Sequence, residues 1–281
     1  MAKLPGNTQL VDSTGNPLGS LSALNRLDEQ EKLRLYSSLF PPRLLQLLGL
    51  QDKDLPDAAD KGIISLIAPQ GLGIARLEAR MAPGDRDTIF FLELADTQFH
   101  QMELSFCIIC DPKAPRFDVD VTEDGAVNWF ATHGRNIPEE IRAFEAGLFP
   151  NQIRRGLKLF GEFFPRLEQF TDALGMEMIV AEPLTYDNAI RYEKYGFDYL
   201  TGKRLMNLIH EQFQPGGDLA ERMDGSNCFR QPGMGKTVRG RSWAIHDGIM
   251  DTPWDGVQIY KMIGVDAGID TFPDRMQEES Q

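Results

Sequence analysis

Leucines at 24, 27, 33, 35 and 39 recur at helical spacing, which predicts a helix over residues 21–40 that Pro41-Pro42 stops. Leu44, Leu45, Leu47 and Leu48 then lead to Gly49, a second short helix with a glycine stop. From Gly62 to Phe130 the texture changes to alternating or continuous apolar runs bounded by Pro, Gly and Asp. These runs predict strands over residues 74–81, 88–95, 99–110 and 117–121. Asp124-Gly125 sits between Phe117-Asp-Val-Asp-Val121 and Ala126-Val-Asn-Trp-Phe130, a hairpin signal. A helix over residues 138–146 follows.

Ile153, Leu157, Phe160, Phe164, Leu167 and Leu174 form one stripe at helical spacing, so a long helix is expected to start near residues 150–154. Pro165 falls inside it and should kink or divide it. The apolar run over residues 176–181 reads as a buried strand, and residues 188–197 as a short helix ending at Gly196-Phe197. Beyond that point the pattern gives a helix over 205–213, a break at 214–217 and a late strand over 257–263. Residues 218–255 read as glycine-rich and irregular. The first 20 residues read as an extended or mobile arm, and the last few as loose.

Two segments carry most of the functional signal. One is Asn188-Ala-Ile-Arg-Tyr192-Glu-Lys-Tyr-Gly196-Phe197; the other is Leu148-Phe-Pro150-Asn-Gln152-Ile-Arg154-Arg155-Gly156-Leu157-Lys158-Leu-Phe160. Between them lies a helix-stop signal, Ala173-Leu174-Gly175. In this order and at these separations the segments resemble the acyl-CoA-binding end of the GNAT acyltransferase superfamily. That family reads V-x-P-x-x-Q/R-x-x-G-x-G/A at a loop-to-helix junction and Y-E-K-x-G-F at a later helix. The resemblance covers about residues 148–197.

The resemblance implies an α/β fold: a GNAT-like mixed sheet, an antiparallel meander followed by strand–helix–strand–helix. It has a helical N-terminal extension and a C-terminal insertion. The implied organisation is an N-terminal arm with helices over 1–60, a core over 61–265 with insertions at about 133–148 and 200–255, and a tail over 266–281. The implied activity is acyl-CoA-dependent N-acyl transfer, most simply of an acetyl group, to an amine acceptor. Acetyl-CoA or another acyl-CoA would be the co-substrate. Gln152, Arg154, Arg155, Gly156, Leu157, Lys158 and Asn188 match the cofactor-binding positions. Tyr192 matches the residue that protonates the departing thiolate. The chain departs from the pattern at Ile153, where the family has Gln or Arg, and at Lys158, where it has a small residue. These departures favour an alternative, a non-catalytic relative that binds a small ligand or a protein partner.

The junction has a physical reading of its own. The first N–H groups of a helix are unpaired and carry partial positive charge, so with Arg154 and Arg155 nearby they suit a diphosphate. The plainer reading is an amphipathic helix packed on a sheet with a basic solvated edge. Tyr192 could act as an acid or pack as an aromatic, and Asn188 would cap its helix in either case. Glu93, Glu103, Asp118 and His133 stand on or beside expected strands as unranked candidates for a general base.

Composition narrows the partners. The 281 residues carry a net charge of −13 and are 42% hydrophobic, which fits a globular protein and disfavours nucleic acid. No apolar run has membrane-spanning length, the start lacks a secretory signal, and three cysteines suit a reducing compartment. No membrane partner is expected, and cytoplasm is the expected location. Gln231-Pro-Gly-Met-Gly235-Lys236-Thr237 lacks the first glycine of a phosphate loop, where Arg230 stands, and Val238-Arg-Gly-Arg is a poor continuation as helix. It reads as a surface loop. Cys107 and Cys110 read as buried strand residues, and the four histidines show no ligand spacing, so no metal site is expected. His246-Asp247 reads as a turn.

Overall fold

The computed structural model describes residues 9–12, 14–131 and 133–273. In chain order the helices and strands begin with α1 (Leu21–Leu24), α2 (Glu29–Ser37), α3 (Pro42–Leu48) and α4 (Leu55–Asp60). Four strands follow: β1 (Ile64–Ile67), β2 (Ile74–Ala79), β3 (Phe90–Asp96) and β4 (Met102–Ile109). Then come α5 (Ile137–Glu145), α6 (Phe160–Ala173), β5 (Met178–Ala181) and α7 (Tyr186–Glu193). The chain continues through β6 (Asp198–Thr201), α8 (Lys203–Gln212), α9 (Asp218–Glu221), α10 (Val238–His246) and β7 (Gln258–Met262). The protein is mixed α/β, and the seven strands among the described residues follow the order β1-β2-β3-β4-β5-β7-β6.

The chain divides into two compact units, each built from discontinuous segments. The first comprises residues 1–113, 156–181 and 260–266. Its centre is the antiparallel meander β1–β4, in which alternate residues of each strand turn inward: Phe90, Leu92 and Leu94 of β3 are buried, and Phe91 and Glu93 between them are half-exposed. Phe90 meets Phe40 and Phe163 edge-on, with ring centroids 5.2 and 5.7 Å away, so α6 and the α2–α3 corner cover the same face of the sheet. Such a pair stabilises by about 0.5–1.5 kcal/mol beyond its buried area.

The expected helix over 21–40 is two helices. Asp28 interrupts it by capping α2, its carboxylate accepting the N–H of Glu31 at 2.9 Å. Pro42 does not merely stop a helix but opens α3, where its missing N–H costs nothing. The described part of the N-terminal arm is anchored: Leu10 donates to the carbonyl of Ala173 at 2.9 Å and Leu18 is buried. Residues 1–8 and the final residues 274–281 lie outside the described residues.

The second unit comprises residues 114–155, 182–259 and 267–281. Trp243 of α10 lies at its heart, stacked on Phe229 at 4.9 Å and edge-on to Phe144 at 5.9 Å, with its indole N–H on the carbonyl of Leu148 at 2.8 Å. α10 overturns the expectation that residues 218–255 are irregular and that Val238-Arg-Gly-Arg makes a poor helix. Thr237 caps it through the N–H of Gly240 at 2.9 Å, and Gly240 is required because a Cβ there would stand 2.0 Å from the carbonyl oxygen of Met234. Arg241 is buried with its guanidinium between the rings of Phe213 and Phe272, at 5.1 and 4.4 Å, and donates to the carbonyl of Gly235 at 2.7 Å. Residues 231–237 are largely the surface loop expected, with Gln231, Pro232, Gly233, Lys236 and Thr237 exposed; within it Gly235 is buried, and a Cβ on it would come within 2.8 Å of Phe213. The expected strand over 117–121 is absent as a ladder. Asp124-Gly125 does turn the chain, but only the single bridge Val121↔Val127 forms. Phe117, Val119, Ala143, Leu148 and Ile153 make a small separate core around α5.

Candidate functional site

The feature of the first unit with chemical potential is the carboxyl end of β4, which outruns its short parallel neighbour β5. These two parallel strands pair only at Met102↔Ile179 and Glu103↔Val180. β4 nevertheless continues to Ile109, paired on its other side with β3 as far as Phe90↔Ile109. β5 ends at Ala181, so β4 runs on past it, and residues 105–109 are exposed or half-exposed. The register along β3 is irregular at the same place. Glu93 pairs with Phe106 and Leu94 with Leu104, so Ser105 is an extra residue, a bulge. A bulge bends its strand and increases the local twist, here where pairing with β5 ends. A crevice beyond the carboxyl ends of parallel strands is the general place for ligands in open α/β sheets.

The junction segment returns to this strand. Gly156 forms a bridge with Cys110, immediately after β4. A Cβ on Gly156 would lie 3.1 Å from the carbonyl oxygen of Ile109, so close backbone approach accounts for the glycine. Lys158 has φ 57°, the left-handed conformation that glycine adopts at least cost. Lys158 is exposed, Leu157 is half-buried, and Leu159 is buried behind them.

Helix α6 begins at Phe160, not near residues 150–154 as the apolar stripe suggests. Ile153 and Leu157 belong to irregular chain whose burial happens to match helical spacing. α6 is capped by no side chain at Leu159, whose carbonyl accepts the N–H groups of Glu162 and Phe163, both at 3.0 Å. Glu162 of the first turn pairs with Arg43 at 3.1 Å. Pro165 lies within α6, which is continuous from Phe160 to Ala173, so it does not divide the helix.

The other sequence candidates belong to the second unit. Gln152 accepts the N–H of Phe149 at 3.0 Å through its side-chain oxygen, and Arg154 donates to the carbonyl of Ala114. Both side chains are thus engaged with backbone, whereas Arg155 is exposed. Asn188 does not cap α7; Thr185 occupies the cap position, and the Asn188 amide turns to the carboxylate of Asp187 at 3.2 Å. Tyr192 is half-buried near the end of α7 with its ring 4.9 Å from that of Phe197. Burial raises the Tyr195 phenol above its ordinary pKa, opposed by Arg191.

Among the base candidates, Glu93 is paired with Arg76 at 2.6 Å, and Glu103 accepts the Ser105 hydroxyl at 3.0 Å beside the bulge. Asp118 is ion-paired with Arg116, and the backbone N–H of His133 donates to the carbonyl of Asn128 at 3.0 Å.

One polar cluster of the second unit has no counterpart in the sequence reading. Glu140 is 1% exposed and accepts from Arg135 and from His246 Nε2, the latter at 3.1 Å. Asp247 accepts from Arg135 at 3.1 Å, Arg230 at 2.8 Å and Asn227 at 2.8 Å. The chain turns at Asp247, directly after α10, as expected, and His246 and Asp247 also belong to a largely buried ionic network. Burial works to raise the pKa of Glu140, but the hydrogen bonds and charges of His246 and Arg135 outweigh it and hold the carboxyl below its ordinary range. Among the described residues no group of His, Cys, Asp or Glu could hold a metal ion. No helix among the described residues is long and apolar enough to cross a membrane.

Comparison of the chain with family models, with curated proteins and with solved structures gave no match. The class these observations define is a mixed α/β protein with a mostly antiparallel mixed sheet.

Proposed function

We propose that this protein is an acyl-CoA-dependent N-acyltransferase, moving an acyl group, most simply acetyl, from coenzyme A to an amine. The observation that carries the reading is the bulge at Ser105 of β4, beside its parallel neighbour β5, followed by the close bridge of Gly156 to Cys110 just ahead of α6. An amide-containing chain such as the pantetheine arm suits a crevice at the carboxyl end of a parallel strand. A diphosphate suits the positive end of a helix dipole. The residues fit that group in kind: Gly156, Leu157 and Lys158 supply main chain and a cation at the turn, and Arg155 supplies a second exposed cation. In this reading Tyr192 donates a proton to the departing sulfur as the amine attacks the thioester carbonyl.

Calorimetry of the full chain with acetyl-CoA and free CoA is the test. Saturable binding of both is expected, and no heat with either, or with longer acyl-CoAs, would remove the reading. Where turnover with an amine is found, Tyr192→Phe should lower kcat about 10²-fold with little change in KM for the thioester. Undiminished turnover would end the role given to Tyr192.

A second reading, a non-catalytic binder, draws on Gln152 and Arg154 being engaged with backbone and Asn188 with Asp187. It is distinguished by CoA or acyl-CoA binding without transfer to any amine in a broad acceptor panel.

A further inference from the structure

The helix that carries Tyr192 is gripped at both ends by buried carboxylates. Asp187 and Glu193, in the first and last turns of α7, are 3% and 4% exposed. Asp187 Oδ1 accepts the hydroxyl of Thr185 at 2.7 Å and that of Ser242, on α10, at 2.6 Å. Its Oδ2 accepts from Asn188 at 3.2 Å and lies 3.5 Å from Arg191. Glu193 Oε1 accepts the hydroxyls of Tyr199 at 2.6 Å and Thr271 at 2.5 Å, and Oε2 the N–H of Thr271 at 3.2 Å. Proximity to Glu193 adds to burial in holding the Tyr199 phenol far above its ordinary pKa, so it stays a donor.

Burying a carboxylate is costly, and here the shortest bonds come from hydroxyls, which are directional and short in reach. An eight-residue helix has little stability of its own, so its place is set by what it is bound to. Ser242 and Thr271 both come from chain beyond residue 217, a region without a role in the sequence reading. We propose that Asp187 and Glu193 are positioning residues which, through Ser242 and Thr271, hold α7 so that the Tyr192 phenol is fixed for proton transfer. This rests on the acyl-transfer reading for its purpose, but the restraint on Tyr192 can be measured without it.

The test uses the full chain with ring-labelled tyrosine, the Tyr192 signal being assigned by its loss in Tyr192→Phe. Ser242→Ala and Thr271→Val should each shift or broaden that signal, and Ser242→Thr should restore it. Thr237→Ala, which removes the cap of the same α10 helix, should lower the Tm and leave the Tyr192 signal in place. Where turnover is present, Ser242→Ala should lower kcat about tenfold with KM and CoA affinity unchanged, since a misplacement near 1 Å can cost up to about 10²-fold. A Tyr192 signal that coincides with wild type in both clamp variants, or that moves equally in Thr237→Ala, overturns the proposal. If CoA does not bind the wild type, the acyl-transfer reading falls alone, and the ring signal still decides whether the clamps hold Tyr192.

Discussion

Lys158 shows how one residue can serve backbone geometry and ligand chemistry in opposition. Its φ of 57° is a conformation that costs a side-chain-bearing residue about 1–2 kcal/mol. Glycine would relieve that cost, offset in part by its own entropy of ordering, about 0.5–1 kcal/mol. Lys158→Gly should therefore raise the stability to urea unfolding by up to about 1 kcal/mol. It also removes an exposed ammonium beside the proposed diphosphate position, so CoA should bind several-fold more weakly, the loss shrinking as salt is added. A variant that is stabilised with unchanged CoA affinity would leave Lys158 a strained residue with no part in binding. Gly156, two residues earlier, has the reverse character: its reason is the carbonyl of Ile109, and no ligand need be invoked to explain it.

At the level of elements, the sequence spoke clearly where burial follows a period and a local stop agrees with it. The β2, β3 and β4 strands, α5, α8 and β7 fall within a few residues of their expected places because alternation or helical spacing ends at Gly, Pro or Asp. It misled where the stripe ran through irregular chain: Ile153 and Leu157 keep helical spacing with Phe160, yet the helix waits for Phe160 because Lys158 is left-handed. α10 was hidden for the opposite reason. Arg239, Gly240 and Arg241 look like poor helix, but the buried glycine admits the chain of Met234 and the buried arginine is matched by two rings and a carbonyl. The bulge at Ser105 leaves no periodic trace either, since a single extra residue in an apolar run changes no composition. A cap, in contrast, is legible: Thr237 precedes α10 as Thr or Ser commonly does. Thr237→Ala should cost about 1 kcal/mol, read as a fall in the midpoint of urea unfolding with the slope unchanged. No change would mean that packing of Trp243 and Arg241 alone fixes where α10 starts.

For the whole molecule, charge and pH act through two opposed effects. At pH 7 the chain carries −13, and partial neutralisation on mild acidification relieves that self-repulsion. Against it stands Glu140, whose folded-state pKa is depressed because His246 and Arg135 together outweigh the penalty of burial. A depressed carboxylate binds fewer protons folded than unfolded, so its contribution is present above the unfolded value, near 4.3, and is lost as pH falls through the folded one. Asp198 works in the same direction, with burial outweighed by the N–H of Tyr199 and by Lys203. Stability should accordingly hold or rise slightly from pH 7 toward 5 and then fall below about pH 4. Glu140→Gln removes the buried charge while Arg135 and Asp247 remain, so it should be less stable than wild type at neutral pH. The two curves should converge as the wild-type carboxyl takes up its proton. Urea unfolding of both proteins from pH 7 to pH 3 checks this. A constant gap across that range would show that Glu140 acts by shape and hydrogen bonding and that its ionisation contributes nothing to the fold.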